Sequence, residues 1–459
     1  MEYKVGPIEI PSADPFKNDA LNRKESAEIL TQFIETINKP FVLAIDSSWG
    51  TGKTTFVKML RQYMINDGFS TLYFSAWEND FCGDPLISLV GELSQQCSSD
   101  GEANGKQKAI LDYVKKYGSA IVRSAFKAGI GKASGGLLEV DKIAEEVETS
   151  DGEIKNLVEK YEEEKRNVSE FKAYLAEYVN TLQQGGKDSK PLVIFVDELD
   201  RCRPNYALEL LEYAKHLFDI NGIVFILSLD KEQLGYSIQT LYGSQTDIDG
   251  YLRRFIDLVY EIPRAEYGDF ISSALKRFGI EKEFINGAFA NYNISSIKEV
   301  FEGFAASYNV SLRKLEQCFC RFGIAMRSMV TATIKDLRLI AYLILFMELF
   351  PESFKRLVER DMSIEALSNI MQEMCEKLTE NMSLEYLAWF EACTSVYLHK
   401  SENLDSLLEH YTKRHSEKQM LREYYRFVLS NVNLAKIDRS NIVTKSALRQ
   451  ITIAERFVR

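Results

Sequence analysis

Residues 46–55 read DSSWGTGKTT and hold the parts of a polyphosphate cradle. Such a cradle needs consecutive backbone N–H groups curled toward one anion, and small residues permit the curl. Gly50 and Gly52 would supply it beside a β-phosphate. Lys53 would bridge the β- and γ-phosphates, the Thr54 hydroxyl would ligate Mg²⁺, and Thr55 would follow near the α-phosphate. Trp49, Gly50, Thr51, Gly52, Lys53, Thr54 and Thr55 are therefore the expected nucleotide contacts. Ser47 stands where the pattern G-x-x-x-x-G-K-[ST] has its first glycine. A serine there costs little if its φ stays negative, since it is small and its hydroxyl can bond the loop.

The same chemistry needs an acid at the end of another buried strand, and LVIFVDELDRCRP provides one. Asp197 would hold Mg²⁺ through water, and Glu198 would polarise the attacking water. Taken alone, either acid also reads as a strand-end cap. Asp230 ends the next strand, as a polar sensor of the γ-phosphate or as a helix cap. In YLRRFID, Arg253 and Arg254 precede the last strand; Arg254 is the candidate phosphate-facing arginine, with a surface ion pair as the other reading. Arg313, in SLRKLEQ, is a further candidate from the C-terminal region.

Positioning these groups takes alternating strands and helices. FVLAI (41–45), TLYFSAW (71–77), PLVIFVD (191–197), IVFILSLD (223–230) and DLVYEIP (257–263) read as strands. Four are nearly continuous apolar runs, as expected of strands covered on both faces. TTFVKMLRQYMINDG places Phe56, Leu60, Tyr63 and Met64 at helical spacing and stops at Gly68. NYALELLEYAKHLFD does the same with Leu208, Leu211, Lys215 and Phe218 before an Asn221-Gly222 turn. The fold class expected is α/β: a doubly wound, mostly parallel sheet over residues 1–265, with a helical insertion at about 95–190. Inside that insertion, a charged stretch has apolar residues at Ile143, Val147, Ile154 and Tyr161, and reads as solvated helix. The segment before it, with Arg123, Lys127 and Lys132, reads as a mobile insertion. Val168, Phe171, Leu175, Tyr178 and Leu182 form an apolar stripe after it.

Beyond residue 265 the strand signals fade. FISSALKRFG, SLRKLEQCFCRFG, KDLRLIAYLILFMELF, ESFKRLVER, SLEYLAWFEACTSVYL and EKQMLREYYRFVLSNV read as helices, giving an all-α domain over 266–459 in one or two lobes. Its aromatic residues read as core. LIAYLILFMELF is shorter than a membrane span and contains Glu348, so it reads as a buried helix.

The net charge of −11 over 459 residues argues against nucleic acid held by bulk electrostatics. Seven irregularly spaced cysteines read as reduced thiols, and four scattered histidines offer no zinc site. Cytoplasmic residence is the expectation.

Taken together, SSWGTGKTTF, FSAWENDFCGDPL, VIFVDELDRCRP and the stretch from LSLDKEQL to YLRRFIDL resemble the KAP family of P-loop NTPases, within the AAA+-like and STAND ATPases. LNRKESAEIL looks like the lead-in such proteins carry before the first strand, where the base often rests. The likeness covers about the first 265 residues and the SLRKLEQ helix. It implies an ATPase using ATP and Mg²⁺ that changes conformation with its nucleotide. Many relatives carry two membrane helices between the nucleotide motifs; this chain has an insertion there without their hydrophobicity, so it looks like a soluble branch. Bacterial relatives include proteins that exclude phages, some found beside nucleases or other effectors. The resemblance thus implies a switch in antiviral defence acting through a partner protein or a homo-oligomer. The alternative is a nucleotide-stabilised scaffold with little turnover. Ser47 departs from the commonest loop, which bears on rate and affinity more than on binding.

Overall fold

The computed structural model describes residues 6–82, 190–217, 219–264, 266–285, 293–328, 336–377, 384–399, 405–417, 421–437 and 440–455, with scattered positions at 85–92, 172–180 and 289. The insertion residues named above (Arg123, Lys127, Lys132, Ile143, Val147, Ile154, Tyr161, Val168, Phe171, Leu175, Tyr178 and Leu182) lie outside the described residues. Two compact units are present, Ile8–Arg264 and a second built mainly from Ala265–Arg459.

In the first unit, helix α1 (Lys24–Glu35) leads into strand β1 (Phe41–Asp46) and helix α2 (Lys53–Asn66). Strand β2 (Thr71–Ser75) is followed by a short helix, α3 (Ala76–Asn79). Then come β3 (Leu192–Asp197), α4 (Pro204–Leu217), β4 (Ile223–Leu229), α5 (Lys231–Tyr242), α6 (Ile248–Leu252) and β5 (Leu258–Glu261). The strands form one sheet in the order β2-β3-β4-β1-β5, and every pairing is parallel. Parallel neighbours need crossovers, and among the described residues α2, α4 and α5 supply them. The fold class is α/β, a doubly wound parallel sheet, followed by helices.

Side-chain alternation along each strand divides the core in two. Leu43, Ile45, Val193, Phe195, Val224 and Ile226 face one side, against Leu30 and Ile34 of α1 and Phe56, Leu60 and Met64 of α2. Ala44, Ile194, Val196, Phe225 and Leu227 face the other, against Leu208 and Leu211 of α4 and Leu234 and Ile238 of α5. Each such burial contributes roughly 1.5–3 kcal/mol. β3 and β4 are buried along their whole length, as their uninterrupted apolar runs require. β5 departs from that pattern. It stands at the sheet edge with Leu258 and Val259 exposed.

The second strand also ends earlier than its apolar run suggests. Ser75 accepts a hydrogen bond from the Glu78 amide at 3.3 Å, so Ala76 and Trp77 begin α3 instead of continuing β2. A capping serine three residues ahead of an acid is a helix start written inside what reads as a strand.

The second unit is helical throughout its described residues, from α7 (Tyr267–Arg277), α8 (Ile280–Ile285), α9 (Ser295–Tyr308) and α10 (Leu312–Ser328) onward. α11 (Leu337–Leu349), α12 (Pro351–Val358), α13 (Ile364–Lys377) and α14 (Leu384–Leu398) follow. α15 (Asp405–Glu417), α16 (Arg422–Ile437) and α17 (Ser440–Glu455) complete it. The expected helix over 417–432 is two pieces: Glu417 closes α15, and α16 starts at Arg422. α11 is buried along nearly its whole length, and its Glu348 is paired with Arg321 at 2.9 Å and Lys314 at 3.6 Å. Among the described residues no helix is long and apolar enough to cross a membrane.

Candidate functional site

The loop between β1 and α2 lies at the carboxyl end of the parallel sheet, where α/β proteins place their ligands. Gly50 has φ 81° and Gly52 φ 86°. Both are left-handed, a region that a Cβ disfavours, so the curl depends on these two glycines. Ser47 is absent from the positive-φ residues, and its hydroxyl meets that of Thr51 at 2.5 Å. Thr51 Oγ1 donates its own hydrogen to the Ser48 carbonyl at 2.8 Å, so Ser47 is the donor between the two hydroxyls. The serine thus fastens the loop in the position of the missing glycine. The Phe56 amide donates to the Gly52 carbonyl at 3.0 Å, starting α2, and Thr54 and Thr55 sit half-buried in its first turn.

Lys53 is buried, and its ammonium donates to the Ser47 carbonyl at 2.7 Å. Four aspartates act on it: Asp200, Asp230, Asp197 and Asp46. Burial pushes its pKa down, and those carboxylates oppose the shift, Asp200 most strongly.

Asp197 and Glu198 stand at the end of β3. Asp197 is fully buried; its Oδ2 accepts from the Tyr73 hydroxyl at 2.9 Å and its Oδ1 from the Glu198 amide at 2.9 Å. Burial beside Asp197 raises the Tyr73 pKa far above its usual range. Glu198 has φ 62°, a strained setting for a residue with a Cβ. Its carboxylate accepts from Ser75 Oγ at 3.1 Å and pairs with Arg201, whose guanidinium lies 5.8 Å from the centre of the Trp77 ring.

Asp230 does two things at once. Its Oδ1 accepts from the Gln233 amide at 3.2 Å and caps α5, and its Oδ2 accepts from the Trp49 amide at 3.0 Å, tying that helix to the loop. Arg254 is exposed, with its guanidinium 5.8 Å from the Tyr251 ring centre; Arg253 is exposed at the end of α6. Arg313 belongs to the second unit, on the exposed side of α10.

Two residues at this site escaped the sequence reading. Asp200 accepts from the Trp49 indole N–H and lies 3.9 Å from Lys53 Nζ. Its signal was the second acid of DELD, two residues past Glu198, which a 3₁₀ turn (Leu199–Arg201) folds back over the loop. Arg23, just before α1, is buried and donates to the Thr51 carbonyl at 2.8 Å. Burial pushes its pKa down to about 10. Its signal was the lead-in LNRKESAEIL, which gives no hint from spacing of which atom the arginine meets.

A profile of the KAP family P-loop domain matches residues 23–329, more than half of the chain. The chain belongs to the KAP family. The match begins at Arg23 and takes in the loop, the acidic strand end and α5. A curated relative is the phage T7 exclusion protein of Escherichia coli strain K12, 21% identical over 252 residues that are 53% of this chain and 32% of that protein. The chain thus spans about a third of that relative's length. Among solved structures, the Aeropyrum pernix ORC2 protein in ADPNP–ADP complexes aligns over 95% of both chains at 12% identity and TM-score 0.35. AMPPCP-bound DnaA from Aquifex aeolicus aligns over 77% of this chain and 92% of its own, at 12% identity and TM-score 0.24. Scores this low bear neither on the fold nor on the site, which rest on the sheet order and loop geometry of this KAP protein itself.

Proposed function

We propose that this P-loop NTPase binds ATP with Mg²⁺ between the loop and the strand-end acids, hydrolyses it, and uses the cycle to reposition the helical region 266–459 against a partner. One observation carries the reading: a glycine-curled loop places a buried lysine among four carboxylates at the carboxyl ends of parallel strands. Trp49, Gly50, Thr51, Gly52 and Lys53 would surround the polyphosphate, with Thr54 and Thr55 entering from the first turn of α2. Thr54 and Asp197 would hold Mg²⁺. The donor set fits: each Asp197 oxygen already accepts one bond and keeps a lone pair, and Ser75 lies in register beside Asp197 on the neighbouring strand. The ion would supply charge neutralisation at the phosphates.

In this reading Glu198 orients water, and Asp230 senses the γ-phosphate through the amide of Trp49. Arg254, exposed beside Tyr251, would meet phosphate within this chain or in a second copy. The pairing of Glu198 with Arg201 and Ser75 also supports a second reading, a nucleotide-stabilised scaffold: a general base tied by two partners turns over slowly until something releases it. Steady-state phosphate release separates the two. A switch releases phosphate in the wild type, faster once its partner is present, and Glu198→Gln lowers the rate by two orders of magnitude or more. A scaffold releases none under either condition.

By its likeness to a phage exclusion protein, the role we assign is antiviral defence, exerted through an effector protein or a homo-oligomer. Cys202, Cys318, Cys375 and Cys393 are thiols outside any disulfide, which would suit a reducing cytoplasm. Infection assays with Lys53→Ala test the defence role, and undiminished protection by that variant would refute a nucleotide-driven one.

A further inference from the structure

Asp197 and Asp230 have roles in the proposed chemistry, and Asp200 has none. Its side chain is 1% exposed. A buried carboxylate ordinarily takes a donor on each oxygen. Asp197 does so through Tyr73 and the Glu198 amide, and Asp230 through Gln233 and Trp49. Asp200 does not. Its Oδ2 takes the Trp49 indole, while its Oδ1 is buried with no hydrogen-bond partner among the described residues.

What compensates its charge is Lys53, at 3.9 Å. That distance lies within ion-pair reach and beyond hydrogen-bond length. Lys53 itself makes one short bond, to the Ser47 carbonyl, from an ammonium with three hydrogens to donate. The pair is therefore close enough to matter in a buried setting and loose enough to exchange. The indole N–H ties the same carboxylate to the loop residue whose amide is held by Asp230.

We propose that Asp200 is a positioning residue of the phosphate site: it serves as counter-ion to Lys53, together with the Trp49 indole, until a polyphosphate takes the ammonium from it. The inference rests on the nucleotide reading above. It gives the empty loop a defined pose, with Lys53 buried and drawn inward. It also sets a cost on ATP entry, because the phosphates must win Lys53 from a partner already in place.

Asp200→Asn tests this directly, since the amide oxygen still accepts from the indole while the charge is gone. The nucleotide-free variant melts lower than the wild type, because Lys53 has lost its counter-ion. ATP binds it about tenfold tighter, a difference of about 1.4 kcal/mol, read from the dependence of melting temperature on ATP concentration. The gain must act through Lys53. In a double-mutant cycle it disappears when Lys53→Ala is compared with Lys53→Ala/Asp200→Asn. An unchanged affinity in Asp200→Asn would overturn the proposal, as would an equal gain in the Lys53→Ala background, which would mean simple charge repulsion of ATP. If Asp200→Asn does not fold, Asp200→Ser, also neutral and able to accept from the indole, carries the same expectations. A wild-type protein whose melting temperature ignores ATP would instead refute the nucleotide reading beneath.

Discussion

Ser47 shows how a single side chain can take over the work of a missing glycine. Its hydroxyl donates to Thr51, a bond that a glycine could not make, and Thr51 in turn donates to the Ser48 carbonyl. Ser47→Ala removes one such bond, worth on the order of 1 kcal/mol, and should weaken ATP binding about fivefold in a calorimetric titration. An unchanged affinity would show that the loop holds its curl without this bond. Asp230 poses a different question at the same scale, because its cap and its tie to Trp49 use separate oxygens. Asp230→Ala should lose roughly 2–4 kcal/mol of stability to urea, an N-cap plus a charge-assisted bond. Asp230→Asn should recover much of that loss, since its amide oxygen can still cap α5. Turnover that stays low in Asp230→Asn supports the sensor role; turnover that recovers with stability reduces Asp230 to a cap. The glycines, Lys53 and the acid pair were legible in the sequence because loop curvature and strand-end charge impose residue types. Asp200 and Arg23 were not, because what matters for each is the atom it meets across 151 and 28 residues of chain.

At the scale of elements, the strands were legible where burial is complete, as in β3 and β4, since a strand covered on both faces can hold only apolar residues. β5 is shorter, carries Glu261 and lies exposed at the edge, and strand order cannot be read from composition. The Ser75 cap was hidden for another reason: Ala76 and Trp77 continue the apolar run, and only the bond from the Glu78 amide ends the strand. In the helical region, α14 carries Glu391, fully buried and accepting from Ser368 at 2.7 Å and from Tyr424. Burial raises its pKa above the ordinary 4.5 despite those donors. A carboxyl raised in the folded state binds its proton more readily there than in the unfolded chain. Stability therefore falls as pH climbs from the ordinary glutamate range through the raised value. Urea midpoints measured across that window should decline for the wild type and stay flatter for Glu391→Gln. Parallel curves would mean that Glu391 titrates normally.

For the molecule as a whole, apolar runs alternating with helical patterns indicated a parallel sheet followed by helices, and the structure has that form. The helical region was less legible in its joints. Helices such as α9 and α13 were missed because half-polar amphipathic stretches give weaker signals than apolar runs. In the proposed reading, ATP bound in one part changes what the other part presents. That change requires first that the loop bind. The decisive measurement is a calorimetric titration of the wild type and Lys53→Ala with ATP in the presence of Mg²⁺. The account predicts one ATP per wild-type chain and a measurable affinity about a hundredfold weaker in the variant. Wild-type protein that takes up no ATP, or a variant that binds it equally well, would contradict it.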